Sequence, residues 1–418
     1  MHLETLSEQE IIITLIAVAF LLAGAYVFGS LFEKIRAPRV VGEILGGMFW
    51  GGSCLYFFFP DTMNSLFMAY EQEGKVLNIF YQLGLIFLVF LSGYNTKLEI
   101  DKKNMKTIGC VFVGATIIPM LCAVPFISMF QKDFIGDLAH AGAFGMVFMI
   151  GVAITSIPVI SKIFFDMGIM NTKFSDTVLT VSTFQDLCLW ILLNAATRIA
   201  TTGELKMLEM AGVVVITLGL FAVVKLVSDH VHTLKKTILP IDFYTVSFIA
   251  LLLTAALLYK AGINIMYSSF LVGYVVKAIA GVDLETKSRM ESLGNFAFSF
   301  FIPIYFALVG IQLNVIHDFS LVRFLLFFVI AFGLEAAGTL IMLQFTDLNR
   351  ATKINFAVTM NARGGPGIVL ATVAYSYRII SIEFFTVLIL TTMLSSLIAG
   401  YWLRRQQKRY EDIFMKLT

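Results

Sequence analysis

Residues 151–162 read GVAITSIPVISK and interrupt an apolar stretch that is otherwise long enough to form a helix across a membrane. Pro158 has no backbone N–H and disfavours helical geometry at the residue before it. Residues 361–367, NARGGPG, are still harder to hold as a continuous helix. Unwound backbone inside a bilayer persists only where it is buried in protein or lines an aqueous cavity. The sequence therefore predicts two broken membrane helices, interrupted at Pro158 and at Gly364, Gly365 and Pro366.

Apolar residues are frequent throughout the chain. Of its 418 residues 58% are hydrophobic, and the mean hydropathy is +0.87. This composition excludes a soluble globular fold and predicts an all-α polytopic membrane protein. Stretches of about 20 apolar residues, the length that crosses a bilayer, recur about thirteen times. The predicted spans are 11–32, 38–59, 76–95, 107–130, 140–165, 174–200, 210–228, 240–260, 263–281, 290–312, 321–343, 351–377 and 382–403.

The two interruptions fall in the fifth and the twelfth span, seven spans apart. An odd offset reverses the direction in which a span crosses the membrane, so the pattern predicts an inverted repeat. Interrupted segments at corresponding positions of two repeats point to the central site of a transporter. The ends of the four half-helices, with their dipoles, are expected to face one another near the middle of the membrane.

Charges and cysteines limit the location and the chemistry of the protein. Most of the 30 lysines and arginines lie in alternate loops, so the positive-inside rule places the N-terminus outside and the tail 404–418 in the cytoplasm of a cell membrane. Residues 1–10 lack the basic leader of a signal peptide. The four cysteines show no paired or metal-type spacing. Because no nucleophile–base pair appears either, we expect neither an enzyme, nor a cofactor, nor a nucleic-acid partner.

Asp186 lies in the middle of the sixth span, in the run STFQDLCLW of residues 182–190. A carboxylate near the centre of a membrane helix costs roughly 2.5–3.5 kcal/mol and usually faces an ion path or a partner. Ser182 and Thr183 come four and three residues earlier, so both border the helix face of Asp186. Each hydroxyl is equally expected to bond to its own helix backbone. Asp186 is the main candidate for an ion site.

Four further segments resemble one family over nearly the whole chain: 39–47 (RVVGEILGG), 83–88 (LGLIFL), 268–273 (SSFLVG) and 306–313 (FALVGIQL). They are similar to motifs of the monovalent cation:proton antiporters of the Kef and Nap type. The resemblance implies a homodimer with a membrane antiporter domain over residues 1–403. In that family arrangement the scaffold takes spans 11–95 and 240–312, a moving core takes spans 107–200 and 321–403, and a linker helix takes 210–228.

The resemblance also implies the site residues. The core aspartate of the family falls on Asp186, its neighbour on Gln185, and the unwound segment on Thr155 and Ser156. Gln185 offers an amide oxygen but no titrating proton. Asp186 alone is then expected to bind either a dehydrated monovalent cation, Na⁺ or K⁺, or a proton. Competition for one carboxylate, coupled to alternating access, predicts electroneutral one-for-one antiport.

Three further charged residues lie near the breaks: Lys162, Glu335 and Arg363. Glu335 lies inside span eleven, where electrogenic relatives tend to carry a lysine. An ion pair between Glu335 and Arg363 is favoured, but Glu335 could also share a proton with a nearby acid. A direct role for Glu335 as a cation ligand would alter the stoichiometry. Lys162 is expected to anchor structure, either at a half-helix end or by pairing with Asp166.

Two other functions remain open from the sequence. A potassium channel-like conduit or uniporter would use Asp186 to attract cations without proton exchange, although no repeated pore-filter motif appears. A non-transporting sensor could be built on the same scaffold.

The Kef branch usually continues into a nucleotide-binding regulatory domain. No glycine-rich dinucleotide fingerprint follows span thirteen here, so such regulation is expected to be absent or to reside in another subunit.

Overall fold

The computed structural model describes most of the chain: residues 5–95, 104–138, 140–170, 172–204, 211–215, 217, 219, 243–260, 263–280 and 284–409. Regular structure in these ranges is helical, apart from one isolated β-bridge between Ile135 and Ile380. Nine helical stretches of the described residues are long and apolar enough to cross a membrane. The predicted class, an all-α polytopic membrane protein, is confirmed.

The helices are numbered here in chain order. They are α1 (Glu8–Lys34), α2 (Arg39–Trp50), α3 (Leu55–Phe58), α4 (Pro60–Phe67), α5 (Glu73–Asn95), α6 (Met105–Phe112), α7 (Ile118–Phe134), α8 (Ala141–Val152), α9 (Ile157–Asp166), α10 (Lys173–Thr202), α11 (Phe243–Lys260), α12 (Ile265–Ala280), α13 (Leu284–Ser299), α14 (Phe301–Gln312), α15 (Leu321–Leu343), α16 (Arg350–Thr359), α17 (Gly364–Ser376) and α18 (Ile382–Arg409). A π-helical turn, Val113–Ile117, joins α6 to α7.

The described helices follow most of the predicted spans. The span predicted at 38–59 is divided into α2 and α3, and three further differences concern later spans. The span predicted at 290–312 consists of two helices, α13 and α14, which meet at Phe300. The span predicted at 107–130 contains the π-helical turn, for which the sequence has no signal. Helix α18 continues to Arg409, beyond the point where the tail 404–418 was expected to begin. The predicted linker 210–228 lies mostly outside the described residues, so the count of thirteen and the inverted repeat stay predictions.

Local sequence signals set several helix ends. Helix α1 begins at a capping box, in which the Ser7 hydroxyl accepts a hydrogen bond from the Glu10 N–H at 3.3 Å. In return, the Glu10 carboxylate accepts one from the Ser7 N–H at 2.7 Å. Two of the free N–H groups at the helix start are satisfied in this way. Helix α10 ends at Gly203, which adopts a left-handed conformation (φ +78°) that favours glycine.

The two breaks lie slightly earlier than the sequence suggested. The unwound residues are 153–156, between α8 and α9, and 360–363, between α16 and α17. Pro158, Gly364, Gly365 and Pro366 stand in the first turns of α9 and α17 rather than in the gaps. A proline in a first turn is tolerated because its missing N–H would have no partner there anyway. Its effect falls on the carbonyl four residues earlier, which loses its helical donor.

Backbone contacts divide the chain into two compact units. The first comprises Met1–Leu91 and Ala280–Phe319, and the second comprises Ser92–Ile279 and Ser320–Thr418. Both interruptions and Asp186 belong to the second unit. The assignment of individual spans to a scaffold and a moving core stays a prediction.

Small residues allow very close helix packing inside the first unit. Helix α2 lies directly against α1 at Gly46, where an added methyl group would be 2.3 Å from the Gly24 carbonyl oxygen. Helix α2 lies equally close to α14 at Gly47, where an added methyl group would be 1.9 Å from the Ala307 carbonyl oxygen. In a membrane, helices associate by such close packing because lipid tails offer no hydrophobic drive. Helices α1, α2 and α14 therefore pack backbone against backbone.

We predict that Gly47→Ala destabilises the protein, because the added methyl group would overlap the Ala307 carbonyl and force α2 and α14 apart. Overpacking of this kind costs about 1–3 kcal/mol. Thermal unfolding of the purified protein in detergent measures the effect. The control is Gly74→Ala in α5, where an added methyl group meets nothing within 4 Å. Equal melting temperatures for the two variants would contradict the close approach.

Candidate ion-binding site

The two unwound segments cross each other, and they exchange the hydrogen bonds that a continuous helix would make. Pro366 has no N–H, so the Ala362 carbonyl lacks the donor that a helix would give it. The Ser156 N–H supplies that bond instead, at 2.6 Å. Ser156 thereby leaves the Val152 carbonyl without its own helical donor, and Arg363 Nη2 donates to this carbonyl at 2.9 Å. Each unwound segment therefore supplies a hydrogen-bond donor to a carbonyl at the other break.

A second exchange involves Met360 and Gly364. The N–H of Gly364, which a continuous helix would direct to the Met360 carbonyl, donates to the Ser396 hydroxyl of α18 at 3.0 Å. The Thr155 hydroxyl donates to the Met360 carbonyl at 2.5 Å. Buried polar backbone groups must be paired, and inside a membrane water is not available for this. Thr155 and Ser156 therefore hold the crossing together.

Gly364 makes the close crossing sterically possible. Its φ is +40°, a conformation that side chains disfavour. A methyl group at this position would lie 2.4 Å from Val159 Cγ2 and 2.5 Å from the Ser156 hydroxyl. Gly365 has open space around its Cα, so it is not constrained in the same way. The glycine pair predicted as one feature thus contains a single position where glycine is required.

Glu335 and Arg363 form a buried ion pair beside this crossing. Arg363 Nη2 lies 2.9 Å from Glu335 Oε2, and both side chains are almost fully buried. The Thr155 hydroxyl is 3.4 Å from the other carboxylate oxygen, Glu335 Oε1. The Gln185 amide also interacts with this carboxylate. The pair that the sequence favoured is present, and it links α15 to the unwound segment before α17.

Asp186 occupies a different environment. It is 1% exposed, and neither of its carboxylate oxygens makes a hydrogen bond to any described part of the chain. The Ser92 hydroxyl of α5 is close enough to interact with it. A buried carboxylate cannot remain charged and alone, so it needs either a proton or a cation. Asp186 is therefore suited to hold one of the two.

The polar neighbours of Asp186 on α10 differ in whether their side-chain oxygens already take part in hydrogen bonds. The Ser182 hydroxyl and the Gln185 amide oxygen are buried and have no hydrogen-bond partner among the described residues. Gln185 Nε2 donates to the Ala115 carbonyl at 3.1 Å, which leaves its oxygen free to coordinate. The Thr183 hydroxyl bonds its own helix at the Leu179 carbonyl, 3.0 Å away. Ser182 and Gln185 fit a cation site, whereas Thr183 does not contribute its hydroxyl in this conformation.

Lys162 lies away from the buried groups. Its side chain is exposed and pairs with Asp166 one turn later, with Nζ 2.8 Å from Oδ1. Arg404 of α18 approaches the same carboxylate, with Nη2 3.5 Å from Oδ2. Asp166 thus joins the end of α9 to α18. This geometry fits the anchoring role expected for Lys162.

Several contributing groups were not anticipated from the sequence. They are Ser92, Ser396, and the carbonyls of Ala115, Val152, Met360 and Ala362. Ser92 precedes a glycine within an apolar helix, a pattern common in membrane helices. The carbonyl of Ala115 belongs to the π-helical turn, and such turns often occur at functional sites. Backbone carbonyls leave no mark in a sequence, so only the three-dimensional structure reveals them.

Comparisons with known proteins agree with this architecture. The family model described as "Sodium/hydrogen exchanger, transmembrane" matches residues 16–406. The Na(+)/H(+) antiporter NhaS4 of Synechocystis sp. is 23% identical over 389 residues, covering 90% of this chain and 92% of that protein. The K(+)/H(+) antiporter 1 of Saccharomyces cerevisiae is 24% identical over 386 residues, which is 88% of this chain but only 43% of the yeast protein.

A solved structure shows the same fold. The sodium proton antiporter MjNhaP1 of Methanocaldococcus jannaschii superposes with a TM-score of 0.66 at 15% sequence identity, covering 98% of this chain and 99% of that one. The family model spans the chain from the first transmembrane helix to the last, including both interrupted helices and Asp186. The chain therefore belongs to the transmembrane sodium/hydrogen exchanger family, whose members are transporters and not enzymes.

Proposed function

We propose that this chain is a secondary antiporter that exchanges a monovalent cation, Na⁺ or K⁺, for H⁺ across a membrane. Asp186 binds the cation and the proton in turn, because one carboxylate cannot hold both. Alternating access of Asp186 to the two sides then couples the two fluxes. The proposal rests on a single observation: a fully buried carboxylate whose oxygens have no hydrogen-bond partner among the described residues.

The surrounding groups support a cation at this position. Ser182 shares a face of α10 with Asp186, since residues four apart on a helix are neighbours. Its hydroxyl and the Gln185 amide oxygen are uncharged oxygen atoms without partners in the described structure. Carboxylate, amide and hydroxyl oxygens are the ligands that hard cations prefer. No resident cofactor is part of the proposed cycle; the transported ions are substrates.

Charge balance supports an electroneutral exchange. Arg363 and Glu335 neutralise each other, so their pair adds no net charge at the crossing. Asp186 then contributes one negative charge, which is balanced by one cation in one state and by one proton in the other. Because the loaded site is neutral in both states, the exchange of one cation for one proton moves no net charge.

The relatives support the same class of transport. NhaS4 is named as a Na(+)/H(+) antiporter, and the yeast relative as a K(+)/H(+) antiporter. The chain spans nearly all of the first protein but less than half of the second. Both names specify exchange of an alkali cation for a proton, so either Na⁺ or K⁺ is a reasonable substrate for this chain.

We further propose that the protein is a homodimer in the cell membrane, with its N-terminus outside and its C-terminus in the cytoplasm. The distribution of lysines and arginines along the sequence supports this orientation. With this orientation, the Lys173 end of α10 faces the cytoplasm and the Thr202 end faces outside.

We predict that Asp186→Asn abolishes cation-dependent proton movement, because an amide cannot exchange a proton for a cation. The protein is reconstituted into liposomes that contain an interior pH dye, and Na⁺, K⁺, Li⁺ or choline is added outside. The matched control is Asp176→Asn, which removes an acid from the first turn of the same helix and should leave exchange intact. Exchange by Asp186→Asn at the wild-type rate would refute the role of Asp186.

Voltage and pH dependence test the stoichiometry and the competition. An ionophore that clamps the membrane potential should leave the cation-evoked pH change unaltered if exchange is electroneutral. The cation concentration at half-maximal exchange should rise as the pH falls, because protons displace the cation from Asp186. A rate that changes with the imposed voltage would indicate unequal charge movement. A half-maximal concentration independent of pH would exclude competition for a single group.

The roles of Glu335 and Arg363 can be separated by a double-mutant cycle. Removing one partner of a buried ion pair costs about 3–5 kcal/mol, because the other charge stays buried alone. We therefore expect Glu335→Gln and Arg363→Gln each to lower the unfolding temperature strongly, and the double variant to lose much less than the sum. Thermal unfolding in detergent measures this coupling. Additive losses, with altered stoichiometry in Glu335→Gln, would instead make Glu335 a cation ligand.

The same liposomes distinguish antiport from a channel-like conduit. An antiporter moves protons only when a transported cation is present on the opposite side. A channel would conduct the cation without moving protons, and its flux would follow the voltage. A sensor would move neither ion.

A further inference from the structure

One face of α10 connects Asp186 to the Thr202 end of the helix. Ser182, Asp186, Trp190 and Asn194 are spaced four residues apart, so each lies beside the next in a row that winds slowly around the helix. Trp190 is one turn beyond Asp186 in the direction of Thr202, and Asn194 is two turns beyond. All four side chains are buried. A route from the Thr202 end to the carboxylate along this face has to pass Asn194 and Trp190.

Trp190 is held by aromatic side chains of α12. Its ring lies parallel to that of Tyr267, with centroids 6.4 Å apart and an interplanar angle of 8°. The Phe270 ring is 5.8 Å away on the same helix. Tyr267 is fixed in turn, since its hydroxyl shares a hydrogen bond with Thr217. Both partner rings are fully buried, so the three rings form a buried aromatic cluster around Trp190.

A hydrogen bond lies one turn further along the same face. Asn194 Oδ1 accepts from the backbone N–H of Asn264 at 2.7 Å. Asn264 precedes the first turn of α12, and its own side chain accepts from the Met266 N–H at 2.8 Å. The start of α12 is therefore attached to α10 by Asn194. The bond is direct and buried, so moving the two helices apart would break it.

We propose that Trp190, Tyr267 and Phe270 form the barrier that closes Asp186 from the Thr202 side, and that the Asn194–Asn264 bond keeps this barrier shut. The inference rests on the proposed function, because competition between two ions at one carboxylate requires that the two sides never reach it together. The barrier has to open once in every transport cycle. In the orientation proposed above it is the outer gate.

A disulfide between two introduced cysteines tests whether the barrier has to open during transport. The four native cysteines are first replaced, and Asn194→Cys and Asn264→Cys are introduced together in the full-length protein. Oxidation to a disulfide should reduce cation–proton exchange to the level of protein-free liposomes, and reduction should restore it. The matched control is Asn104→Cys with Thr177→Cys, which also joins a second segment to α10 at a hydrogen-bonded pair. This control should keep its exchange when oxidised.

The outcomes separate the gate from the proposed function. Undiminished exchange after complete cross-linking at positions 194 and 264 would overturn the gate. Absence of exchange in the wild-type protein would instead refute the antiporter itself. If the cysteine pair is inactive even when reduced, Trp190→Ala decides the question. This variant should let a pH gradient decay faster than in wild-type liposomes in choline medium, whereas Trp402→Ala should not. A sealed, normally exchanging Trp190→Ala protein would exclude the barrier.

Discussion

The exchange of backbone hydrogen bonds between two unwound segments is the constraint on which the site depends. A proline in α17 deprives the Ala362 carbonyl of a donor, and Ser156 in the other break supplies it. Arg363 then satisfies the Val152 carbonyl that Ser156 leaves unpaired. Neither break would be stable alone inside a membrane, since each unsatisfied backbone group costs several kcal/mol there. Each segment therefore stabilises the unwound conformation of the other.

This constraint explains why a buried arginine is present. Arg363 donates to a backbone carbonyl and to Glu335 with the same nitrogen, Nη2, so it connects α8, α15 and the segment before α17. A neutral side chain of similar length could satisfy the carbonyl but would leave Glu335 buried and unpaired. In our proposal the pair is structural, and its neutrality leaves Asp186 as the one acid at the site whose charge is balanced by the transported ion. In this proposal, the charges of Glu335 and Arg363 take no part in the transport cycle.

Asp186 itself differs from every other acid discussed above. Glu335 has Arg363 as a partner and Asp166 has Lys162, whereas the Asp186 carboxylate forms no ion pair with the described residues and interacts with the Ser92 hydroxyl. A structural acid in a membrane is expected to be paired, because pairing is what offsets its burial. Weak pairing therefore fits a group whose partner is an ion that comes and goes. The proposed aromatic barrier at Trp190 would then decide from which side that ion arrives.

The sequence by itself determined the fold class and the two interruptions, and it predicted a role for Asp186. Each depends on local properties: apolar length, proline and glycine chemistry, and the cost of a lone acid in an apolar helix. The Glu335–Arg363 pair was favoured because Arg363 is the only cation in the sequence of the second break. Only the tertiary structure decided that the unwound residues precede Pro158 and Gly364, that Thr155 and Ser156 hold the crossing, and that Ser92 approaches Asp186. It also decided that Trp190 and Asn194 of the same helix contact α12. These features arise from contacts between segments far apart in the chain, and their partners are often backbone groups that every residue possesses.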